Sequence, residues 1–239
     1  MTKPDTIIEL RQLAFRWQPT APLVLDIEQF SIQRGERIFI KGASGSGKST
    51  LLSLLGGVLT PQQGEINVLG RALHELRGSQ RDIFRADHIG FVFQMFNLIP
   101  YLSVLENVLL PLRFSRLRHG RVTARGTLEQ EAARLLAHLD LSGALLQRSV
   151  TELSVGQQQR VAAARALIGQ PEIVIADEPT SSLDADRRAA FIKLLINECN
   201  EAGNTLVFVS HDSSLEGFFD HTVSLDTINK ATAPSQEVA

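Results

Sequence analysis

Hydrophobic and polar residues alternate in short segments at the start of the chain. The segments "IIELRQLAFRW" and "VLDIEQFSIQRGERIFIKG" show this period of two, and "QPTAP" lies between them. Such alternation is typical of strands that bury one face, while proline in the interruption favours a turn. The pattern therefore predicts an N-terminal antiparallel β-layer.

Further along, the pattern changes to short apolar runs separated by helical segments. Residues 37–41 form a β-favouring run, and a glycine-rich loop and the apolar helix "STLLSLLGG" follow. Three later runs, "IGFVFQ", "EIVIAD" and "NTLVFVSH", are separated by long helical patterns. Strands that alternate with helices indicate a mainly parallel core sheet with helices on both faces. The predicted fold class is α/β.

Residues from 95 to about 160 read as almost wholly helical, and "TLEQEAARLLAHLDL" is strongly amphipathic. We predict that they form a helical insert within a single domain over residues 1–230. The small, polar residues 231–239 are predicted to be a disordered tail. One basic cluster, "RFSRLRHGRVTAR" at residues 113–125, is either a solvated connection between helices or a docking surface.

The composition narrows the possible partners. Of the 239 residues 44% are hydrophobic, which fills an ordinary core, and 24 Lys and Arg against 26 Asp and Glu give a net charge of −2. No basic excess favours nucleic acid, so we predict no nucleic-acid partner. Cys199 is a single cysteine, the N-terminus has no apolar signal region, and no apolar stretch reaches the roughly 18 residues of a membrane span. We expect a cytoplasmic protein whose membrane role depends on a partner.

A phosphate-binding loop is the first sign of function. The segment "GASGSGKST" follows the pattern G-x-x-x-x-G-K-[ST]. Its glycines let the backbone turn N–H groups toward phosphate oxygens, and the helix that follows adds its positive end. Lys48 is expected to reach the β- and γ-phosphates, and the Ser49 hydroxyl to bind Mg²⁺. The candidate ATP-binding residues of this loop are Gly42, Ala43, Ser44, Gly45, Ser46, Gly47, Lys48, Ser49 and Thr50.

Two carboxylates follow a later apolar run in "PEIVIADEPTSSLD". Asp177 is placed to hold Mg²⁺, directly or through water. Glu178 is then free to orient and deprotonate the attacking water, a role typically worth about 10²–10⁴ in rate. Two acids that merely begin a solvated loop are the alternative, which the phosphate-binding loop disfavours.

Three more side chains lie where a nucleotide would bind. His211 ends an apolar run and could contact the γ-phosphate, and Gln94 likewise follows a predicted strand. Trp17 precedes the loop on the β-layer, where it could stack on adenine. Each has an ordinary alternative, because a histidine at a strand end is usually a packing residue and a lone tryptophan is often part of the core.

The segment "TELSVGQQQRVAAARALIG" begins an alanine-rich helix at residues 151–169. Ser154 can cap this helix while Gln157, three residues on, reaches back to close a capping box. Ser103 and Glu106 have the same spacing and predict a second capping box.

With these motifs in one order, the chain resembles the ATP-binding-cassette (ABC) ATPases over nearly its whole length. In that family the segment at Ser154 is the signature motif, which other P-loop NTPases lack. The resemblance implies that Trp17 stacks on adenine, that Gln94 is the Q-loop glutamine and a Mg²⁺ ligand, and that His211 is the switch histidine. It also assigns Asp184, in "SSLD", to a nucleotide-binding loop that links the two sites of a dimer.

Members of this family work as head-to-tail pairs. The resemblance therefore implies that Ser154, Gly156 and Gln157 of one protomer close on ATP held by the partner's Lys48. One departure stands out, since Val155 occupies the position of the usual first signature glycine. Because a β-branched residue does not freely take positive φ, this departure bears on how fast the second site closes, and the sequence leaves its effect on turnover open.

The segments "FVFQMFNLIPYLSVLENVLLPL" and "GASGSGKSTLL" look most like the ATPases of lipoprotein-release, macrolide-export and FtsE-like systems, the MacB/LolD type. This implies an ATPase that drives a separate membrane permease, docks on it through the helical insert, and is peripheral on the cytoplasmic face of the inner membrane. The alternative is a non-transport ABC ATPase that regulates envelope enzymes or acts in soluble cofactor assembly. A DNA-repair or translation member would need a long coiled-coil insertion or a second cassette, and the sequence has neither.

Overall fold

A computed structural model describes residues 5–181 and 183–231. By their contacts these residues fall into two compact units. The first comprises residues 5–82 and 209–231, and the second comprises residues 83–181 and 183–208. Apart from Ala231, the tail that was predicted to be disordered lies outside the described residues. Within the described ranges, no helix combines the length and the apolar character that crossing a bilayer requires.

The secondary structure alternates strands and helices. The strands are β1 (Thr6–Phe15), β2 (Leu25–Gln33), β3 (Arg37–Lys41), β4 (Gln63–Val68), β5 (Arg71–Ala72), β6 (Ile89–Val92), β7 (Ile173–Asp177), β8 (Thr205–Ser210) and β9 (His221–Ser224). The helices are α1 (Lys48–Leu55), α2 (Gly78–His88), α3 (Val104–Leu109), α4 (Arg116–Thr123), α5 (Leu128–His138), α6 (Val155–Leu167), α7 (Ala185–Ala202) and α8 (Leu225–Ile228).

A four-stranded sheet in the order β2-β1-β4-β5 lies in the first unit. Its strands pair antiparallel, with Leu10 of β1 opposite Phe30 of β2 and Ile66 of β4. All three side chains are buried. The predicted N-terminal antiparallel layer is confirmed, and the structure adds β4 and β5, which the alternation pattern did not identify.

Parallel strand pairs occur in both units. Within the first unit β3 pairs parallel with β9, and within the second unit β6 pairs parallel with β7. The first four residues of β7 and all six of β8 are buried, as expected of strands covered on both faces. The predicted mainly parallel core sheet is confirmed, and β3 has the predicted bounds.

Helices α3, α4, α5 and the start of α6 lie in the range that was predicted to be a helical insert. The first of them begins at Val104, because residues 93–103 form turns and irregular backbone after β6. The bounds of the insert, and its independence as a subdomain, stay predictions.

Most of the basic cluster forms α4, and two of its arginines point toward the protein interior. Arg118 is only 2% exposed, and its Nε and Nη2 atoms donate to the carbonyl oxygens of Ile168 and Ala166, each at 2.8 Å. Arg121 donates to the Glu172 carboxylate at 2.6 Å. Burial lowers the pKa of Arg118 to about 10, so it remains charged at neutral pH. Both interpretations of the cluster are therefore wrong for the buried Arg118, while for its exposed arginines, such as Arg116 and Arg125, they stay predictions.

Close packing fixes where α6 lies against β6. A Cβ added to Gly90 of β6 would lie 2.2 Å from the carbonyl oxygen of Ala166 on α6. Since such a contact is far inside van der Waals distance, only glycine allows this approach.

This packing predicts opposite effects for two glycine-to-alanine changes. Gly90→Ala should lower the free energy of unfolding by about 1–3 kcal/mol, because the added methyl forces α6 away from β6. Gly120→Ala should raise it by up to about 1 kcal/mol, because Gly120 lies within α4 and has open space around its Cα. Urea denaturation measures both. A Gly90→Ala protein as stable as wild type would show that the fold does not depend on this close approach of α6 to β6.

Candidate functional site

The loop between β3 and α1 depends on glycine for its shape. Gly45 and Gly47 have φ values of 80° and 98°, in the left-handed region that L-residues rarely adopt. Gly47 is also crowded, because an added Cβ would lie 3.0 Å from the Leu25 side chain and 3.2 Å from the Val24 carbonyl oxygen. The glycine just before Lys48 is therefore required by both conformation and space.

The first glycine of the loop is required for a different reason. A Cβ on Gly42 would lie 2.5 Å from the Ser46 hydroxyl, so the loop curls back closely on itself. Ser46 Oγ is buried and has no hydrogen-bond partner among the described residues. Buried polar atoms are rarely left unsatisfied. The hydroxyl therefore fits a ligand that brings acceptor oxygens into the loop, as a phosphate does.

Lys48 places a positive charge within this loop. The side chain is only 7% exposed, and Nζ donates to the carbonyl oxygens of Gly42 and Ala43, both at 2.8 Å. An ammonium group makes stronger hydrogen bonds to charged phosphate oxygens than to neutral carbonyls. Lys48 is thus held where it can transfer from the loop carbonyls to a phosphate.

Helix α1 begins at Lys48 and carries no acidic residue in its first turn. The positive end of its dipole is therefore not neutralised by a side chain of that turn. Thr50 is buried in this turn, whereas Ser49 is exposed. An exposed hydroxyl at this position is accessible to a bound ion.

Trp17 and His211, the other predicted nucleotide contacts of the first unit, are both exposed. Trp17 lies just beyond β1 with 62% of its surface exposed, so the alternative that it belongs to the core is wrong. Its ring packs edge-on against the buried Phe15 ring, with centroids 5.2 Å apart. His211 directly follows β8. The first unit thus holds Trp17, the phosphate-binding loop and His211.

The two predicted catalytic carboxylates lie at the end of β7 in the second unit. Asp177 is the last residue of that strand, and Glu178 follows with a φ of 42°. Left-handed backbone at a residue other than glycine costs about 1–3 kcal/mol and often marks a functional site. The buried Gln159 of α6 donates from Nε2 to the Pro179 carbonyl oxygen at 2.8 Å. This contact fixes the backbone immediately after Glu178.

Gln94 lies in the turn beyond β6 and is exposed. In the same turn, Phe96 and Asn97 both have left-handed backbone, with φ values of 58° and 49°. Arg165 of α6 donates to the carbonyl oxygens of both, from Nη2 to Phe96 and from Nη1 to Asn97. Burial of Arg165 lowers its pKa. A buried guanidinium thus holds the turn that carries Gln94.

Sequence reasoning did not identify Gln159 or Arg165. The available signal was a polar or charged residue within the apolar, alanine-rich part of α6. Such residues must find hydrogen-bond partners when they are buried. Their partners are backbone carbonyls, which no sequence motif marks.

The predicted signature segment caps α6 as expected. Ser154 is the N-cap, with Gln157 N donating to its hydroxyl and its own N–H donating to Gln157 Oε1 at 2.9 Å. The second predicted capping box, between Ser103 and Glu106, is also confirmed. Val155 is the first residue of α6 and does not have positive φ. The expected conformational penalty of this valine is therefore wrong, because any residue adopts helical backbone.

Gly156 differs from the loop glycines. It does not have positive φ, and an added Cβ would meet only the Leu183 side chain, at 4.0 Å, an ordinary contact. Nothing in the described part of the chain therefore requires glycine here. Val155 beside it is 48% exposed, so one apolar side chain is accessible at the N-terminal end of α6, which we call the mouth of the helix.

Asp184 is the N-cap of α7, where its carboxylate accepts from Arg187 N at 2.9 Å. Capping is a sufficient structural reason for an aspartate at this position. The second unit thus holds the remaining predicted site residues, namely Gln94, Ser154, Gly156, Gln157, Asp177, Glu178 and Asp184.

Known proteins resemble the chain over most of its length. The family described as ABC transporter matches residues 25–181. The chain is 43% identical over 196 residues to an uncharacterized ABC transporter ATP-binding protein, YbbA of Escherichia coli K12, with 81% of this chain and 82% of that protein covered. It is 40% identical over 193 residues to the macrolide export ATP-binding/permease protein MacB of Burkholderia pseudomallei, with 81% and 28% covered.

A solved structure shows the same fold. The ATP-binding cassette MJ0796, a dimer in a post-hydrolysis state bound to ADP and Pi, is 35% identical to this chain with a TM-score of 0.78. The match covers 91% of this chain and 93% of that one.

Replacing Lys48 tests the loop. Lys48→Ala should reduce ATP hydrolysis to background, because it removes the ammonium that compensates charge developing on the phosphates. Phosphate release by the purified protein measures the loss. Lys193→Ala is the matched control, since Lys193 is exposed on α7 outside the loop. Wild-type turnover by Lys48→Ala would contradict the assignment.

Proposed function

The chain belongs to the ABC transporter family, and on this premise we propose which of its residues bind and hydrolyse ATP and where its partners bind. It is an ATP-hydrolysing, ATP-binding subunit of an ABC transporter. The observation that carries the residue assignment is the buried ammonium of Lys48, held at 2.8 Å by two carbonyls of its loop. The same loop contains the Ser46 hydroxyl, which has no hydrogen-bond partner in the described part of the chain.

In the first unit, ATP binds through its phosphates and its base. The N–H groups of residues 42–50 surround the phosphates, Lys48 donates to the β- and γ-phosphate oxygens, and Trp17 stacks on adenine. Lys48 has its largest effect in the transition state, where negative charge on these oxygens increases. His211 contacts the γ-phosphate.

Ser49, Gln94 and Asp177 carry the oxygen ligands that Mg²⁺ prefers. Bound Mg²⁺ would neutralise part of the phosphate charge during hydrolysis. Glu178 accepts a proton from the attacking water and so generates the nucleophile. Its unusual backbone conformation is stabilised from α6, since Gln159 holds the Pro179 carbonyl.

Two copies of the chain pack head to tail, so that each bound ATP contacts both copies. Ser154, Gly156 and Gln157 at the mouth of α6 approach ATP held by the partner's Lys48. Two features support this arrangement. The first turn of α6 has no acidic residue, so its positive end favours a phosphate, and no contact within the described chain explains Gly156. Asp184 lies in the loop that links the two sites.

The helical insert contacts a membrane permease. Met95 and Tyr101 are 81% and 84% exposed in the segment between β6 and α3, and Phe114 is exposed before α4. Exposed apolar side chains of this size mark interaction surfaces. By its name, the MacB relative carries ATP-binding and permease parts, and the matched region covers only 28% of it. We therefore place this subunit against a membrane permease, at the cytoplasmic face of the inner membrane.

Removing the aromatic ring tests the adenine contact. Trp17→Ala should weaken ATP binding by about 1–3 kcal/mol, the usual worth of base stacking. Trp17→Phe should retain most of the affinity, because it keeps a ring that can stack. Isothermal titration calorimetry with ATP measures both. Equal affinity of Trp17→Ala and wild type would remove Trp17 from the site.

The dimer is tested with a protein that binds but does not hydrolyse ATP. Glu178→Gln retains the shape of the side chain and loses the base, so ATP should hold two copies together. Analytical ultracentrifugation should show a shift from monomer to dimer on addition of ATP and Mg²⁺. Adding Ser154→Arg should abolish the shift, because a bulky cation then blocks the mouth of α6.

The matched control is Ser103→Arg in the same Glu178→Gln protein. Ser103 also caps a helix of the second unit through a capping box, so both changes cost about 1 kcal/mol of helix stability. Ser103→Arg should still dimerise with ATP. If Ser154→Arg dimerises as well, the segment is only a helix cap and the head-to-tail arrangement is wrong.

A further inference from the structure

Arg165 links α6 to the turn that carries Gln94. Its guanidinium donates to the carbonyl oxygens of the two consecutive residues Phe96 and Asn97. The contact is buried, since only a small part of Arg165 reaches solvent and the Phe96 ring is buried beside it. Two donors on one planar group fix both carbonyls at once.

The turn is one that would not hold its shape without support. Phe96 and Asn97 are both left-handed, a conformation that is costly for phenylalanine, easier for asparagine, and rare twice in succession. Such backbone persists when surrounding contacts over-determine it. Arg165 and the burial of Phe96 supply those contacts. The position of Gln94, two residues before Phe96, therefore depends on α6.

Helix α6 carries three relevant groups along its length. Ser154 caps its mouth, and Gln159 is bonded to the Pro179 carbonyl, next to Glu178. Arg165 lies about 15 Å from Val155 along the axis, at 1.5 Å per residue. A continuous helix moves as a rigid element over this distance. A displacement of the Gln94 turn is therefore transmitted to the mouth of α6.

We propose that Arg165 is a positioning residue that couples the Gln94 turn to the signature end of α6. When Gln94 contacts bound nucleotide, the turn and α6 move together, and Ser154 is presented to the partner copy. The inference rests on the proposed function of Gln94 and Ser154. The inference adds Arg165, which touches neither nucleotide nor partner. Through Arg165, dimerisation of a copy depends on nucleotide bound to that same copy.

Arg118 provides a matched control. It is also a buried guanidinium that donates to backbone carbonyls, in this case those of Ala166 and Ile168. Burial lowers the pKa of both arginines. The hydrogen bonds of its guanidinium go to these carbonyls and not to those of the Gln94 turn. Loss of either arginine should destabilise the second unit, but only loss of Arg165 should uncouple nucleotide binding from dimerisation.

Two measurements separate coupling from folding. ATP affinity is measured by calorimetry in the Ser154→Arg background, where copies remain monomeric. ATP-driven dimerisation is measured by ultracentrifugation in the Glu178→Gln background. Arg165→Met should bind ATP with an affinity close to that of its parent, yet need at least about fivefold more ATP to dimerise, the lower end of usual coupling between sites. Arg118→Met should dimerise at its parent's ATP concentration, although thermal melting shows lower stability.

If Arg165→Met does not fold, Arg165→Lys is used, because it retains the charge but lacks the planar guanidinium whose spaced donors reach both carbonyls, and it should shift dimerisation in the same direction. Dimerisation of the Arg165 variants at the parent's ATP concentration would overturn the inference. So would an equal shift in Arg118→Met, which would indicate general destabilisation. If the Glu178→Gln parent itself does not dimerise with ATP, the proposed function fails, and this failure is distinct from the first two.

Discussion

The close approach of α6 to β6 is the constraint on which the second unit depends. Gly90 leaves no room for even a methyl group against the Ala166 carbonyl. With the helix fixed at that distance, its polar side chains reach backbone on either side. Arg165 binds the turn after β6, and Gln159 binds the segment after β7. A single packing contact thus determines where two functional turns lie.

Glycines in this protein serve three different physical purposes. Gly47 must adopt left-handed backbone, Gly42 must leave space for Ser46, and Gly90 must allow two elements to approach. Gly156 has none of these reasons within the described chain. A glycine without an internal explanation, at the positive end of a helix, is most simply explained by a ligand outside the protomer. The proposed head-to-tail dimer depends on this contrast.

Local patterns in the sequence predicted much of the fold. The bounds of β3, the antiparallel layer and both capping boxes follow from the spacing of residues that are close in sequence. Long-range contacts could not be predicted in this way. Arg118 belongs to a basic run that resembled a solvated segment, yet its partners are carbonyls about fifty residues away. Val155 was expected to strain the backbone because glycine was assumed to need positive φ there, and the helix needs no such angle.

Of the candidate site, the sequence predicted the residues that carry chemistry but not those that hold them in place. Lys48, Asp177 and Glu178 have motifs because, in the proposed function, their side chains meet the nucleotide. Gln159 and Arg165 bind backbone carbonyls, and any residue supplies a carbonyl, so no pattern marks their partners. The backbone of Glu178 and the turn after β6 both depend on these unmarked contacts.

The central claim, that α6 acts on ATP held by another copy, is tested most directly by mixing two inactive proteins. Lys48→Ala retains an intact mouth of α6, and Ser154→Arg retains an intact phosphate loop. A mixed head-to-tail dimer has one complete site. Equal amounts should recover about one quarter of wild-type ATP hydrolysis, because half of the dimers are mixed and each has one of two sites intact. No recovery on mixing, or full activity of Ser154→Arg alone, would contradict the account.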